Sequence, residues 1–326
     1  NFGDKVKYWI TLNEQNIFTS LGWLTAQHPP GKFDDQKMFY QVNHHAFMAH
    51  AKTVLAYREM GGTGNIGASF AYTPSYSLDC RPVNAMAKRN YDDLKNFWWM
   101  DIYAYGRYPA AAMAYLKKKG YAPEIQDGDM EILKKAAAQI TFMGVNYYQS
   151  CVCEYNPMDG VTPYGTMNTS GVKGSAQEVG IPGIYKNPAN PYLMTTDWDW
   201  SIDPMGLQFC CREITSRYGL PVVISENGLG AFDKKTEDGR IHDDYRIKYL
   251  EEHIKALALA VEEGCRVLAY CTWSFTDLLS WLNGYQKRYG FVYVDREEEE
   301  GGSLERIKKD SYYWYQNVIK TNGKSI

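Results

Sequence analysis

What most constrains this chain is a recurring unit: a short apolar run closed by polar side chains, then a stretch long enough for a helix. Residues 6–13 (VKYWITLN), 64–72 (GNIGASFAY), 140–148 (ITFMGVNYY), 221–225 (PVVIS) and 266–274 (RVLAYCTWS) read as strands. Residues 38–59, 85–105, 130–139, 204–218, 243–263 and 311–320 read as helices. Strands alternating with helices argue for parallel strands joined by helical crossovers. Polar side chains gather at the strand carboxyl ends: Asn13 and Glu14, Asn146 to Tyr148, Glu226 and Asn227, Trp273 and Ser274. A (β/α)8 barrel keeps its active site there. An open doubly wound sheet also binds ligands beyond its strand ends. No G-x-G-x-x-G follows a strand, however, and there is no Walker A segment. The expectation is an α/β fold, a (β/α)8 TIM barrel. Eight strands close such a barrel and five stand out, so roughly the first three βα units are expected to be absent from this chain. Residues 1–326 would then be a single domain, the C-terminal portion of the barrel.

Composition narrows the function classes. The 326 residues carry a net charge of -3, well mixed in sign. No basic stripe points to nucleic acid or to an anionic membrane. The acidic run at 297–300 reads as a solvated loop. No apolar run is long enough to span a bilayer, and no leader peptide is recognisable, although the chain opens at Asn1 without Met. The seven cysteines are odd in number. Cys151 and Cys153 lack zinc-ribbon spacing, and Cys210 and Cys211 are adjacent, so all seven read as reduced thiols of a cytoplasmic protein. His44, His45 and His50 lack the one-turn spacing of a zinc pair. No metal and no cofactor are implied. Nine Trp and 27 Tyr supply ring faces that suit either a large core or a sugar. Two long irregular stretches, 151–197 and 278–310, have the length of functional loops.

Glu14 and Glu226 each end an apolar strand. By strand alternation Glu226 shares a face with Ile224 and Val222, and Glu14 with Leu12, Ile10 and Tyr8. Two strand-end carboxyls in one barrel mouth can converge, as cleavage of a glycosidic bond with retention requires. In 280–291 (SWLNGYQKRYGF), an extended 287–289 puts Lys287 and Tyr289 on one side and Arg288 on the other. Ser280 returns to the same place across the Asn283-Gly284 turn. One charge and several donors would then converge, as a bound phosphate needs.

The T-L-N-E-Q segment at 11–15 resembles the T-x-N-E-P segment of family 1 glycoside hydrolases, and I-S-E-N-G at 224–228 resembles their nucleophile motif. N-Y-Y at Asn146, W-S-I-D-P-M-G-L at Trp200 and W-S at Trp273 match further family segments, so the resemblance runs along nearly the whole chain. It implies a retaining glycosidase with Glu14 as acid/base and Glu226 as nucleophile. Asn13 would bond the sugar 2-hydroxyl, Tyr148 would donate to Glu226, and Trp273 would stack beneath the glycone. Asn146 belongs to the same strand-end site. Glu14 would have to be protonated at rest and Glu226 ionised. Gln15 departs from the usual Pro. The family's early Gln and His-Trp pair have no counterpart here.

The 280–291 loop resembles the S-W-x-N-G-Y-x-K-R-Y-G pattern of the 6-phospho-β-galactosidases and 6-phospho-β-glucosidases. Where neutral-sugar enzymes carry Glu, this chain has Ser280, and it adds Lys287. Removing a negative charge and adding a positive one suits a 6-phosphate. Trp281 would lie near the sugar 4-hydroxyl and leaves gluco and galacto substrates both open. The resemblance therefore implies hydrolysis of 6-phospho-β-glucosides, with 6-phospho-β-galactosides kept open beside them, the substrate being a small phosphorylated β-glycoside or disaccharide. The alternatives are a hydrolase of neutral β-glycosides and a sugar-phosphate-binding piece without turnover.

Overall fold

A computed structural model describes residues 2–157, 167–298 and 301–326. Glu299 and Glu300 of the acidic run, and 158–166 of the first long loop, lie outside the described residues. Each apolar run contains a strand; four are shorter than the run, and the one expected over 221–225 instead continues through Glu226 to Asn227. The strands are β1 (Tyr8–Asn13), β2 (Asn65–Ala71), β3 (Met143–Tyr147), β4 (Val222–Asn227) and β5 (Val267–Tyr270). They pair in parallel, in chain order, as one five-stranded sheet. The middle strand, β3, is buried along its whole length, as a parallel strand covered on both faces must be. A doubly wound sheet reverses its strand order at a switch point. This order never reverses, which is how the wall of a (β/α)8 barrel is built.

The helices are α1 (Gln15–Trp23), α2 (Gln36–Glu59), α3 (Pro82–Tyr91), α4 (Phe97–Tyr105), α5 (Ala110–Lys119), α6 (Asp129–Ala137), α7 (Pro204–Tyr218), α8 (Asp244–Glu262) and α9 (Asp310–Lys320). Carboxylates start two of them. Asp35 accepts the Met38 amide at 3.1 Å, and Asp203 accepts that of Gly206 at 2.9 Å. The continuous helix expected over 85–105 is broken by a π turn, Asp92–Asn96. Its polar side chains are claimed from outside the helix. Asp92 accepts from Ser75 at 2.7 Å, and Asn96 donates to the Thr73 carbonyl at 2.9 Å. Helices α1 and α5 had no clear periodic signal in the sequence.

Trp98, Trp99, Phe47, Phe70 and Tyr103 pack with Val145, Ile224, Leu207 and Ile214 in the main core. Leu229, Tyr249, Leu250 and Phe291 form a smaller one beneath the 280–291 loop. Among the described residues no helix is long and apolar enough to cross a membrane.

Candidate active site

The carboxyl ends of β1, β3 and β4 meet in a cleft of about 250 Å³. Asn13, Glu14, Asn146, Tyr148, Glu226, Trp273, Ser280, Trp281 and Tyr289 all line it. Lys287, expected to converge with Ser280 and Tyr289, is not part of that lining.

Hydrogen bonds tie the two carboxyls into one cluster. Asn146 Nδ2 donates to Glu14 Oε1 at 2.9 Å and to Asn13 Oδ1 at 3.0 Å. Asn13 Nδ2 donates to Glu226 Oε1 at 3.3 Å, and the Tyr148 hydroxyl donates to Glu226 Oε2 at 2.7 Å. Asn146 is itself oriented, since its Oδ1 accepts from Ser69 Oγ at 2.9 Å and from Ser225 Oγ at 2.7 Å. These serines were not singled out in the sequence.

Strict alternation would put Ser225 and Glu226 on opposite faces. Both serve the same cluster, so that expectation is corrected. The register slips between Val145, paired with Ile224, and Asn146, paired with Glu226. Such a bulge re-aims a side chain beside a site. Asn13 and Glu14 likewise reach the same cluster, because Glu14 has left the strand for a left-handed conformation (φ 51°, ψ 47°). Gly228 leaves room at this edge. A Cβ there would lie 1.9 Å from the Trp273 carbonyl oxygen.

Burial and neighbouring charge separate the two carboxyls. Burial raises the Glu14 pKa to about 7, the Glu226 charge adds to the rise, and the Asn146 bond opposes it. Burial also raises Glu226, and donors on Tyr148, Asn13 and Asn146 oppose that rise. The two carboxyls thus differ in surroundings: Glu14 is set to hold a proton near neutral pH, while the donors around Glu226 favour its charged form.

The second half of the site is the 280–291 loop. Ser280 and Gly284 exchange backbone hydrogen bonds at 2.9 Å across the turn. Lys287 and Tyr289 lie on one side, with the ammonium 5.6 Å from the Tyr289 ring centroid. Arg288 lies on the other, 3.2 Å from Asp277. Lys287 is not on the rim. It is 1% exposed and stands one layer behind the lining, with Nζ 3.6 Å from the Trp200 ring centroid and 4.9 Å from that of Trp198. It meets no hydrogen-bond acceptor among the described residues. Burial lowers its pKa to about 7. Gly230 admits the lysine, since a Cβ there would sit 2.5 Å from Lys287 Cε.

Trp200 connects the two halves, with its ring 5.5 Å from that of Tyr148. The sequence marks Trp200 through its family segment, but its place against Lys287 was not read. The signal was there: D-W-D-W spaces Trp198 and Trp200 two apart. Ile17, Leu21, Met167, Leu278 and Leu279 add apolar lining to the cleft beside Trp281.

The histidines are committed elsewhere. His44 bonds Tyr108 at 2.8 Å and Asp129 at 2.9 Å, and His50 bonds Thr11 at 2.6 Å. No group of His, Cys, Asp and Glu among the described residues could hold a metal ion.

Residues 1–324 match the model of glycosyl hydrolase family 1. The chain belongs to that family. It is 55% identical over 325 residues to the aryl-phospho-beta-D-glucosidase BglC of Bacillus subtilis, covering all of this chain and 67% of the relative. It is 34% identical to the 6-phospho-beta-glucosidase AscB of Escherichia coli, covering all of this chain and 65% of that protein. It is 36% identical to a 6-phospho-beta-galactosidase of Clostridium acetobutylicum, covering 97% of this chain and 66% of that one. The chain thus spans about two thirds of the length of these family 1 relatives. Its backbone superposes on the family 1 β-glucosidase of Thermotoga maritima with a TM-score of 0.83 at 31% identity, covering 98% of this chain and 65% of that one. The barrel fold read from strand order is therefore the fold of its family 1 neighbours.

Proposed function

We propose that this protein hydrolyses 6-phospho-β-glucosides with retention of configuration, Glu226 acting as nucleophile and Glu14 as acid/base. The observation that carries the substrate is Lys287, a buried ammonium with no hydrogen-bond acceptor among the described residues. It stands behind Ser280 and Tyr289 at the end of a cleft that holds two hydrogen-bonded carboxyls. A dianionic 6-phosphate gives that ammonium a partner, with Ser280 and Tyr289 as further donors. A neutral sugar would leave it unpaired.

In the first step Glu226 attacks the anomeric carbon while Glu14 passes its proton to the glycosidic oxygen. The aglycone leaves, and the sugar is held as an ester of Glu226. That ester has no charge, so one cause of the raised Glu14 pKa disappears. Glu14, now ionised, takes a proton from water, and the water releases the sugar 6-phosphate. Asn13 would bond the 2-hydroxyl, and Trp273 would offer the glycone a ring face.

Relatives named for aryl-phospho-β-glucosides and the apolar part of the cleft lining both support an aromatic aglycone. A relative named for 6-phospho-β-galactosides keeps the galacto substrate in view. A sugar phosphate formed by cellular phosphorylation, together with seven free thiols, supports action in the cytoplasm.

The test compares 4-nitrophenyl β-D-glucoside with its 6-phosphate, in the unaltered protein and in Lys287→Ala. The phosphorylated substrate is expected to be preferred. The variant should raise KM for it on the order of 10²-fold, the loss of one charge-assisted contact, with KM for the neutral glycoside changing less than about twofold. Equal losses on both substrates would end the phosphate assignment and leave a hydrolase of neutral glycosides.

A further inference from the structure

We infer that Gln15, which stands where family 1 resemblance leads one to expect proline, is a positioning residue for Glu14 through a buried side-chain network with Asn43 and Tyr103. The inference rests on the assignment of Glu14 as acid/base.

Glu14 sits in a backbone conformation that a side chain with a Cβ rarely adopts. Such a conformation persists only where the surroundings over-determine it. Glu14 opens α1 but does not cap it, because its side chain makes no bond to the helix amides. Its carboxyl goes to Asn146 instead. The residue therefore has to be held from both sides.

On the N-terminal side its amide donates to the Ser69 carbonyl of β2 at 2.9 Å. On the C-terminal side the hold is Gln15, which is 0% exposed. Gln15 Nε2 donates to the Asn43 carbonyl at 3.0 Å and to Asn43 Oδ1 at 2.9 Å. Gln15 Oε1 accepts from the Tyr103 hydroxyl at 2.8 Å. Asn43 is fixed in turn by the Trp99 indole at 2.7 Å and by its own bond to the Phe39 carbonyl at 2.9 Å. Gln15 is thereby anchored to α2 and α4, the helices beneath the mouth, with its donors and acceptor matched. A matched buried network is rigid, and one missing member leaves its partners unpaired. Proline or an apolar side chain could not supply both a donor to Asn43 and an acceptor for Tyr103. With one neighbour locked, Glu14 has little freedom to turn its carboxyl away from Asn146.

The test uses the dependence of kcat/KM on the leaving group. Dinitrophenolate departs without protonation, whereas methoxide needs the proton of Glu14. Gln15→Leu and Tyr103→Phe are assayed on methyl and 2,4-dinitrophenyl 6-phospho-β-D-glucosides, with Glu14→Gln as the reference. Displacing the acid should cut kcat/KM for the methyl glycoside about tenfold or more, while that for the dinitrophenyl glycoside changes less than about twofold. A purely structural role would lower the amount of active protein and so reduce both alike. That result, or no change in either, overturns the inference. Should Gln15→Leu fail to fold, Tyr103→Phe decides, since it removes a single hydroxyl that does not line the cleft. If Glu14→Gln itself shows no leaving-group split, the acid/base assignment falls, and this inference falls with it.

Discussion

Glu14 and Lys287 both have pKa values displaced to about 7, in opposite directions and for the same physical reason. Burial disfavours charge. For the carboxyl this favours the protonated acid, which persists up to about pH 7 and is lost above it. For the ammonium it favours the neutral amine, so the charged form is present below about pH 7 and lost above it. The consequences separate by substrate. On a neutral glycoside, kcat/KM should fall about tenfold per unit above pH 7, as the acid is lost. On the 6-phosphate the fall should be steeper, because binding weakens as well. The phosphate is already largely dianionic above about pH 6, so the extra steepness reports the lysine. At saturation the bound anion holds the proton on Lys287, and kcat should follow Glu14 alone. Paired pH profiles check this, and identical limbs for the two substrates would remove Lys287 from the site.

The elements that carry these side chains are held by a second charge cluster behind the 280–291 loop. Arg246 pairs with Asp233 at 3.0 Å and with Asp243. Lys309 pairs with Asp233, and with Asp277 at 2.8 Å. Arg288 pairs with Asp277 and donates to the Val294 carbonyl at 2.6 Å. Three cations balance three carboxylates, which leaves none to neutralise Lys287. Removing one partner strands a buried charge, so Lys309→Met should cost about 3–5 kcal/mol of stability, read by denaturant unfolding. A loss below about 1 kcal/mol would show that the cluster contributes little.

None of this network was legible in the sequence, since its six members are spread from Asp233 to Lys309. What was legible depended on local pattern. All five strands and the bodies of α2, α6, α7, α8 and α9 follow runs that any reading of period finds. Helix α1 was missed because its buried residues include Gln15, Thr19 and Gly22, which carry no hydrophobic signal. Helix α5 was missed because it buries only Ala112 and Leu116. The π turn escaped because partners distant in sequence impose it. At the site, the residues could be named from motif and strand end. The bulge at Ser225 and the depth of Lys287 could not, because both are set by packing between segments.

In the whole molecule, five parallel strands in chain order bring residues from both ends of the sequence to one cleft. The half with the two carboxyls comes from the ends of β1, β3 and β4, and the half proposed to take the phosphate from the loop that follows β5. Trp200 and Tyr148 join the two halves, so the proposed nucleophile and the buried cation would act on the same molecule. The most direct test is to treat the protein with 2-deoxy-2-fluoro-β-D-glucosyl fluoride and with its 6-phosphate, then find the trapped sugar by peptide mass spectrometry. The account expects a covalent 6-phosphoglycosyl ester on Glu226, formed far faster than any ester from the neutral reagent. Trapping on another residue, or equal rates from both reagents, would contradict it.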